Sequence, residues 1–442
     1  MGDAARVGGA SSVERWCIGV RGASWRAEVD DAGTVHAAGA RARWAVLAED
    51  GWHDPTTRPP SVRGRRLSGA PVAETRVKVP GGDVVCTAWA APERGGIVVL
   101  EWHNESPRAV AVAIDGDGVP LVASRAASAI EAAGLAWSAA SWALPHATSL
   151  RAAWLVGVPR ATGAVHEPWV AALADASRVV GAWREVAHGA GRVDLPDPRA
   201  AEALVTARCD LVLDDALAAR LDDPVDALLY AAEAARLREP ARAEPWEVAD
   251  WCGAVARRVA RRGPGGSLPT RREARALVLG AWTLAVAGER AGAADVAALA
   301  AGLGDPVADQ QPPVADQQPP AADAGDAATP RAVRAVRAIA AIEDGLARVG
   351  ADGTLHLLPD GVPASWRGVH FEAHGLVAGA GRRISYAVRW HGTAPAVLWE
   401  VEGDARGLAI AAPRVDPQFA TREPRGETLL REPGPVPSTP HP

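Results

Sequence analysis

The chain has 442 residues, of which 48% are hydrophobic and 23% charged. That is globular usage with length for two to three domains, and it excludes wholesale disorder and collagen-like or coiled-coil sequence. A net charge of −6 gives no overall attraction for a polyanion, so no nucleic-acid partner is expected. The single lysine, Lys78, lies outside any Gly-Lys-Ser/Thr context, which removes P-loop and kinase chemistry and argues against a Schiff-base enzyme. The single asparagine, Asn104, likewise removes a kinase catalytic loop. Seventeen Trp stand against two Phe and two Tyr, the bias of a GC-rich bacterial genome rather than of selection for stacking on ligands.

Residues 13–160 show short apolar runs with tight turns. Val72 to Val79 alternates apolar and charged positions, turns at Pro80-Gly81-Gly82-Asp83 and returns through Val84 to Trp89. A second hairpin is predicted from Ile97–Trp102 through Asn104-Glu105-Ser106-Pro107 to Val110–Ile114, and similar runs begin at Trp16, Trp25, Trp44 and Arg151. Together they predict an N-terminal antiparallel β-sandwich. Asp115-Gly116-Asp117-Gly118 lacks the twelfth-position ligand of a calcium loop and reads as a turn.

From residue 165 the apolar period changes to about 3.6, and residues 165–303 predict a helical domain. Helices are expected from Pro168 to His188, after Pro198, from Pro224 to Leu237, from Pro245 onward, from Arg271 to Glu289 and from Ala293 to Leu303. The fourth carries Val248, Trp251, Cys252, Val255 and Val259 on one stripe, with Arg257, Arg258, Arg261 and Arg262 complementing its C-terminal dipole. The fifth is apolar all round from Ala276 to Gly288, the pattern of a buried helix.

Residues 304–329 hold the repeat Pro-Val-Ala-Asp-Gln-Gln-Pro, whose prolines forbid a helix and predict a disordered linker. Thr329 is expected to cap a last helix, within residues 330–350, with Pro330 at its first position. Residues 353–430 return to strands as a small C-terminal β domain, in which Ile384, Tyr386, Val388 and Trp390 share a face and Ala396–Val401 returns. The Pro-rich tail 433–442 reads as disordered.

The four cysteines are widely spaced without CxxC and read as buried reduced thiols of a cytosolic protein. His370 and His374 fall in a predicted strand, which separates them by about 13 Å and disfavours a zinc site. No signal peptide or membrane span is visible, and the chain is expected to be cytoplasmic, without metal or cofactor.

No HExxH, GxSxG or GxGxxG signature is present, so carboxylates and indoles carry the candidate chemistry. In Glu244-Pro245-Trp246-Glu247-Val248-Ala249-Asp250-Trp251, Glu247 and Asp250 share a helix face near its start, where Trp246 can stack on a sugar. Acidic residues there also serve as ordinary dipole partners on a solvated face. Arg389, His391 and Glu400 project opposite Trp390 and Trp399, either to meet a ligand or with Arg389 and Glu400 as a cross-strand ion pair.

The order of sheet, helices and small β domain resembles the six-hairpin glycosidase-like superfamily, with the architecture of bacterial glucoamylases and maltose-phosphorylase-like enzymes. Leu357-Leu358-Pro359, Pro363-Ala364-Ser365-Trp366-Arg367-Gly368, Ser385-Tyr386-Ala387-Val388-Arg389-Trp390-His391-Gly392 and Ala396-Val397-Leu398-Trp399-Glu400 are similar to segments of actinobacterial glycosidase-like proteins. The resemblance implies an α/α toroid-like helical domain, here abbreviated and incomplete. It also implies an oligosaccharide ligand and, if the chain is active, hydrolysis by a general acid and a general base. The alternative is a catalytically degenerate carbohydrate-binding or protein-interaction module.

Overall fold

The computed structural model describes residues 15–431, apart from 58–59, 117–119, 129, 131–133, 136, 138–139, 157–164, 215–219, 240–242, 263–267 and 305–328. The repeats within 304–329, Asp117-Gly118 and the tail 433–442 lie outside the described residues. The chain divides into two compact units, Met1–Trp183 and Arg184–Pro442.

The first unit contains two seven-stranded sheets among the described residues. One runs through Arg15–Gly19, Arg26–Asp30, Val35–Ala37, Ala40–Ala48, Val110–Gly116 and Ala140–Leu144, with Gly51–His53 paired to Ala40–Ala48. The other runs through Val165–His166, Leu121–Ala123, Ser149–Leu155, Ile97–Asn104, Gly82–Ala91, Val72–Val79 and Val62–Arg66. Pairing is antiparallel except between Leu121–Ala123 and Val165–His166. Period-2 patterning gives each sheet one apolar face, and both faces enter a single cluster that holds Ile18, Trp44, Val77, Leu100, Trp102 and Trp142. Trp44 and Trp102 meet edge to face at 6.2 Å.

The predicted 72–89 hairpin forms in the register Val72↔Trp89, closed at Pro80-Gly81 with Gly81 at φ 83°. The predicted hairpin from Ile97 to Ile114 does not form. Ile97–Asn104 pairs with Gly82–Ala91 and Ser149–Leu155, whereas Val110–Gly116 pairs with Ala40–Ala48 and Ala140–Leu144 in the other sheet. Asn104 builds the corner between them. Fully buried, it donates to the carbonyls of Arg108 (2.7 Å) and Leu144 (2.9 Å) and accepts from Ser106 N–H (2.9 Å) and Oγ–H (2.7 Å). Every hydrogen-bonding position of its amide is used, which fixes a turn that leaves one sheet and enters the other.

The second unit carries most of the helices. Seven α-helices occur among the described residues: α1 (Ala176–His188), α2 (Pro198–Leu213), α3 (Pro224–Arg236), α4 (Pro245–Ala260), α5 (Arg271–Val286), α6 (Arg290–Gly302) and α7 (Arg331–Leu346). The expected helix from Pro168 to His188 is broken into a 3-10 turn, Pro168–Ala172, and α1, which crosses the division between the units. Helices α2 and α3 start where the prolines predict, each with an Asp N-cap accepting from a backbone N–H two residues on. On α7 the cap moves by one residue: Pro330 is the N-cap, and Thr329 supplies its carbonyl to the Arg334 guanidinium at 2.7 Å.

Helix α2 packs on α7, and α3 packs on α4, α5 and α7. Most of α5 from Glu273 to Leu284 is buried, as its apolar centre predicts, but Val286, Ala287 and Gly288, which the same apolar run placed in the core, are exposed at the helix end. Two further sheets complete the unit. A five-stranded one has the order Arg192–Asp194, Phe371–Val377, Arg383–His391, Ala394–Glu402, Arg425–Leu429, and a four-stranded one has the order Ala347–Val349, Leu355–Leu357, Ile410–Ala412, Asp416–Thr421. Leu195, Ala200, Leu346, Leu355, Tyr386 and Trp399 share one cluster, so helices and strands here are built on a common core. The Tyr386 hydroxyl donates to the Leu346 carbonyl at 3.0 Å.

Candidate functional site

Helix α4 begins on the predicted motif. Glu244 is its N-cap and Pro245 its first residue, and the Glu247 carboxylate accepts from Glu244 N–H at 2.8 Å in a reciprocal capping box. Val248, Cys252, Val255 and Val259 are buried, Trp251 is half-buried, and Asp250 is exposed. Trp246, held clear of the stripe by the helical period, is 65% exposed, the most exposed of the large hydrophobic side chains among the described residues. A small open cleft of about 210 Å³ is lined by Ala243, Glu244, Pro245 and Val248 around the start of α4 and by Thr283, Leu284 and Ala287 around the end of α5, and Trp246 is not among its lining residues. The lining is apolar apart from Glu244 and the Thr283 hydroxyl, which donates to the Leu279 carbonyl at 2.8 Å. Of the candidates in this motif, Glu247 is committed to the backbone while Trp246 and Asp250 face solvent.

The second set, Arg389, His391 and Glu400, falls on the Arg383–His391 and Ala394–Glu402 hairpin. Its register corrects the expected Arg389–Glu400 ion pair. Arg389 stands opposite Ala396, and Glu400 stands opposite Ser385 on one side and Arg425 on the other. Arg389 instead pairs with Glu372, whose other oxygen lies 3.0 Å from His374 Nε2. The hydrogen bond from His374 and the nearby Arg389 charge hold the Glu372 carboxyl below its ordinary range. His391 is exposed beside the Gly392 turn, and His370 accepts from Trp390 N–H at 3.1 Å. Among the described residues no three His, Cys, Asp or Glu side chains come together to hold a metal ion.

A third constellation escaped the sequence reading. Arg208 on α2, Glu233 and Arg236 on α3, Arg275 on α5 and Glu343 on α7 meet in the core, each no more than 4% exposed. Glu343 receives Arg208 at 2.7 Å, Arg236 at 2.8 Å and Arg275 at 2.8 Å, and Glu233 receives Arg208 and Arg236, both at 2.7 Å. Other guanidinium donors reach the carbonyls of Ala187, Gly375 and Val377, while Nε of Arg236 and of Arg275 is buried without a partner among the described residues. Burial on its own raises the Glu343 carboxyl, but the charges of Arg236, Arg208 and Arg275 override it and hold it at about 2.

Other acids of the helical layer are clamped in the same manner. Asp226 is held by Arg337 at 2.6 Å, Glu273 by Arg262, and Asp360 by Arg271 and Arg348 at 3.0 Å. Asp344 differs in direction, since burial raises its carboxyl against the neighbouring Arg348, which donates to it at 2.8 Å. A general acid needs a raised pKa together with access to substrate. Glu343 is held ionised and sealed, Glu233 is sealed between Arg208 and Arg236, and Asp344 is buried with an arginine as its partner.

Comparison with protein families, with curated proteins and with solved structures finds no match to this chain.

Proposed function

We propose that this chain is a carbohydrate-binding, non-hydrolytic relative of the six-hairpin glycosidase-like proteins. In that reading the N-terminal sheets are its supersandwich, the helical layer is an incomplete toroid, and the protein works in the cytoplasm on an oligosaccharide. The observation that carries the reading is Trp246, an indole left 65% exposed in the first turn of α4. An exposed flat aromatic face suits a sugar ring, which presents C–H groups on its faces and hydroxyls at its edge.

Binding without turnover is favoured over hydrolysis by the state of the carboxylates. Inverting and retaining hydrolysis both need two carboxyl groups facing each other across the scissile bond. Here Glu247 closes a capping box and Asp250 stands exposed on the same helix. A thermal-shift screen of malto- and cello-oligosaccharides tests the reading. Stabilisation without release of reducing sugar is expected, and hydrolysis that is lost in Glu247→Gln or Asp250→Asn would replace it with the enzyme reading.

A further inference from the structure

The five-stranded sheet ends in the strand Arg425–Leu429, which pairs with Ala394–Glu402 on one side and with no strand on the other among the described residues. Arg422 to Glu427 are all exposed, and Leu429 is 55% exposed. The backbone bonds define which way each peptide group points. Leu430 N–H donates to the Pro395 carbonyl at 2.8 Å and Val401 N–H to the Pro424 carbonyl at 2.7 Å, so the even-numbered residues from 424 to 430 bond inward. The N–H and C=O groups of Arg425, Glu427 and Leu429 therefore face away from the sheet, a free template for one more strand.

We propose that this edge pairs antiparallel with the same strand of a second copy of the chain, on a two-fold axis at Gly426. Charge selects the register. Centred on Gly426, Arg425 of each copy faces Glu427 of the other, giving two opposite-charge pairs between residues whose backbone groups also bond across the seam. Shifting the centre to Glu427 sets Glu against Glu, and shifting it to Arg425 sets Arg against Arg, so both neighbouring registers are repulsive. Among the described residues neither Arg425 nor Glu427 has an ion pair within its own chain. The strand lies flat because Gly426 has no side chain: a Cβ there would come within 2.6 Å of Trp399 Cζ2. The contact is small, so the dimer is weak and concentration-dependent.

Sedimentation equilibrium of the full chain, from about 10 μM to about 1 mM, tests this. The wild type is expected to dimerise at the upper end and Glu427→Pro to stay monomeric, because this proline removes an outward N–H and leaves the internal ladder intact. Glu427→Arg should also be monomeric, and the exchange Arg425→Glu with Glu427→Arg should restore dimers. Should Glu427→Pro fail to fold, the two charge variants decide alone. A wild type that is monomeric throughout, dimers that survive Glu427→Arg, or an exchange that restores nothing would each overturn the proposal.

Discussion

Asn104 and Glu343 show how much of this protein rests on single side chains that composition alone undervalues. The only asparagine of the chain looked like a codon accident, yet its amide closes the corner between the two N-terminal sheets. Asn104→Ala leaves buried backbone groups without partners, and a loss of at least about 1–3 kcal/mol is expected in urea denaturation. Glu343→Ala removes the carboxylate shared by three buried guanidinium groups, leaving Glu233 to Arg208 and Arg236 and, among the described residues, no carboxylate to Arg275, and should cost about 3–5 kcal/mol, read in the same way. Trp246 was legible as an exposed indole because helix phase alone decides it. The Arg208–Glu343 contact was not, because it joins residues 135 positions apart and each reads locally as an ordinary surface charge. All four cysteines are buried, and burial pushes the Cys252 thiol up to about 12. No thiol should react with Ellman's reagent at pH 8 until the chain unfolds, and a fast-reacting native thiol would contradict that burial.

At the scale of elements, starts and stops were readable where chemistry is local. Pro198, Pro224 and Pro245, together with Asp197, Asp223 and the Glu244–Glu247 box, mark helices that form where they point. Glu247→Ala should lower stability by about 1 kcal/mol through loss of the cap, and Glu247→Gln by less, since its amide oxygen still accepts from Glu244 N–H. Thermal denaturation of the two variants checks the order. Pairing partners were less readable. Ile97–Asn104 and Val110–Gly116 have hairpin spacing but enter different sheets, a choice set by the Asn104 corner and by which neighbours offer a free edge. Arg389 and Glu400 failed to pair for a related reason, since the two-residue turn at Gly392 fixes a register that the alternation of faces leaves open.

For the whole molecule, the sequence exposed the order of sheets, helices and sheets but not that the helices α2–α7 and the C-terminal strands fall in one compact unit, in which α2 and α7 share a core with the strands. Among the described residues no helix is long and apolar enough to cross a membrane. The buried network gives the second unit a defined acid sensitivity. Glu343 titrates at about 2 in the folded chain against an ordinary 4.5, so its stabilisation is complete above pH 4.5 and lost as pH falls toward 2. Asp344, raised by burial, acts in the opposite sense and offsets part of that loss. Acid titration of Glu343→Gln should show a weaker dependence on pH below 4.5 than the wild type. The account as a whole turns on whether the exposed Trp246 indole takes a sugar without the chain cutting it. Isothermal titration with malto- and cello-oligosaccharides, run on the wild type and on Trp246→Ala with reducing ends assayed in the cell afterwards, addresses this most directly. Binding by the wild type, weakened about tenfold or more in the variant and without new reducing ends, is the predicted result. Equal binding by the two proteins, no binding to any of these sugars, or release of reducing sugar would contradict it.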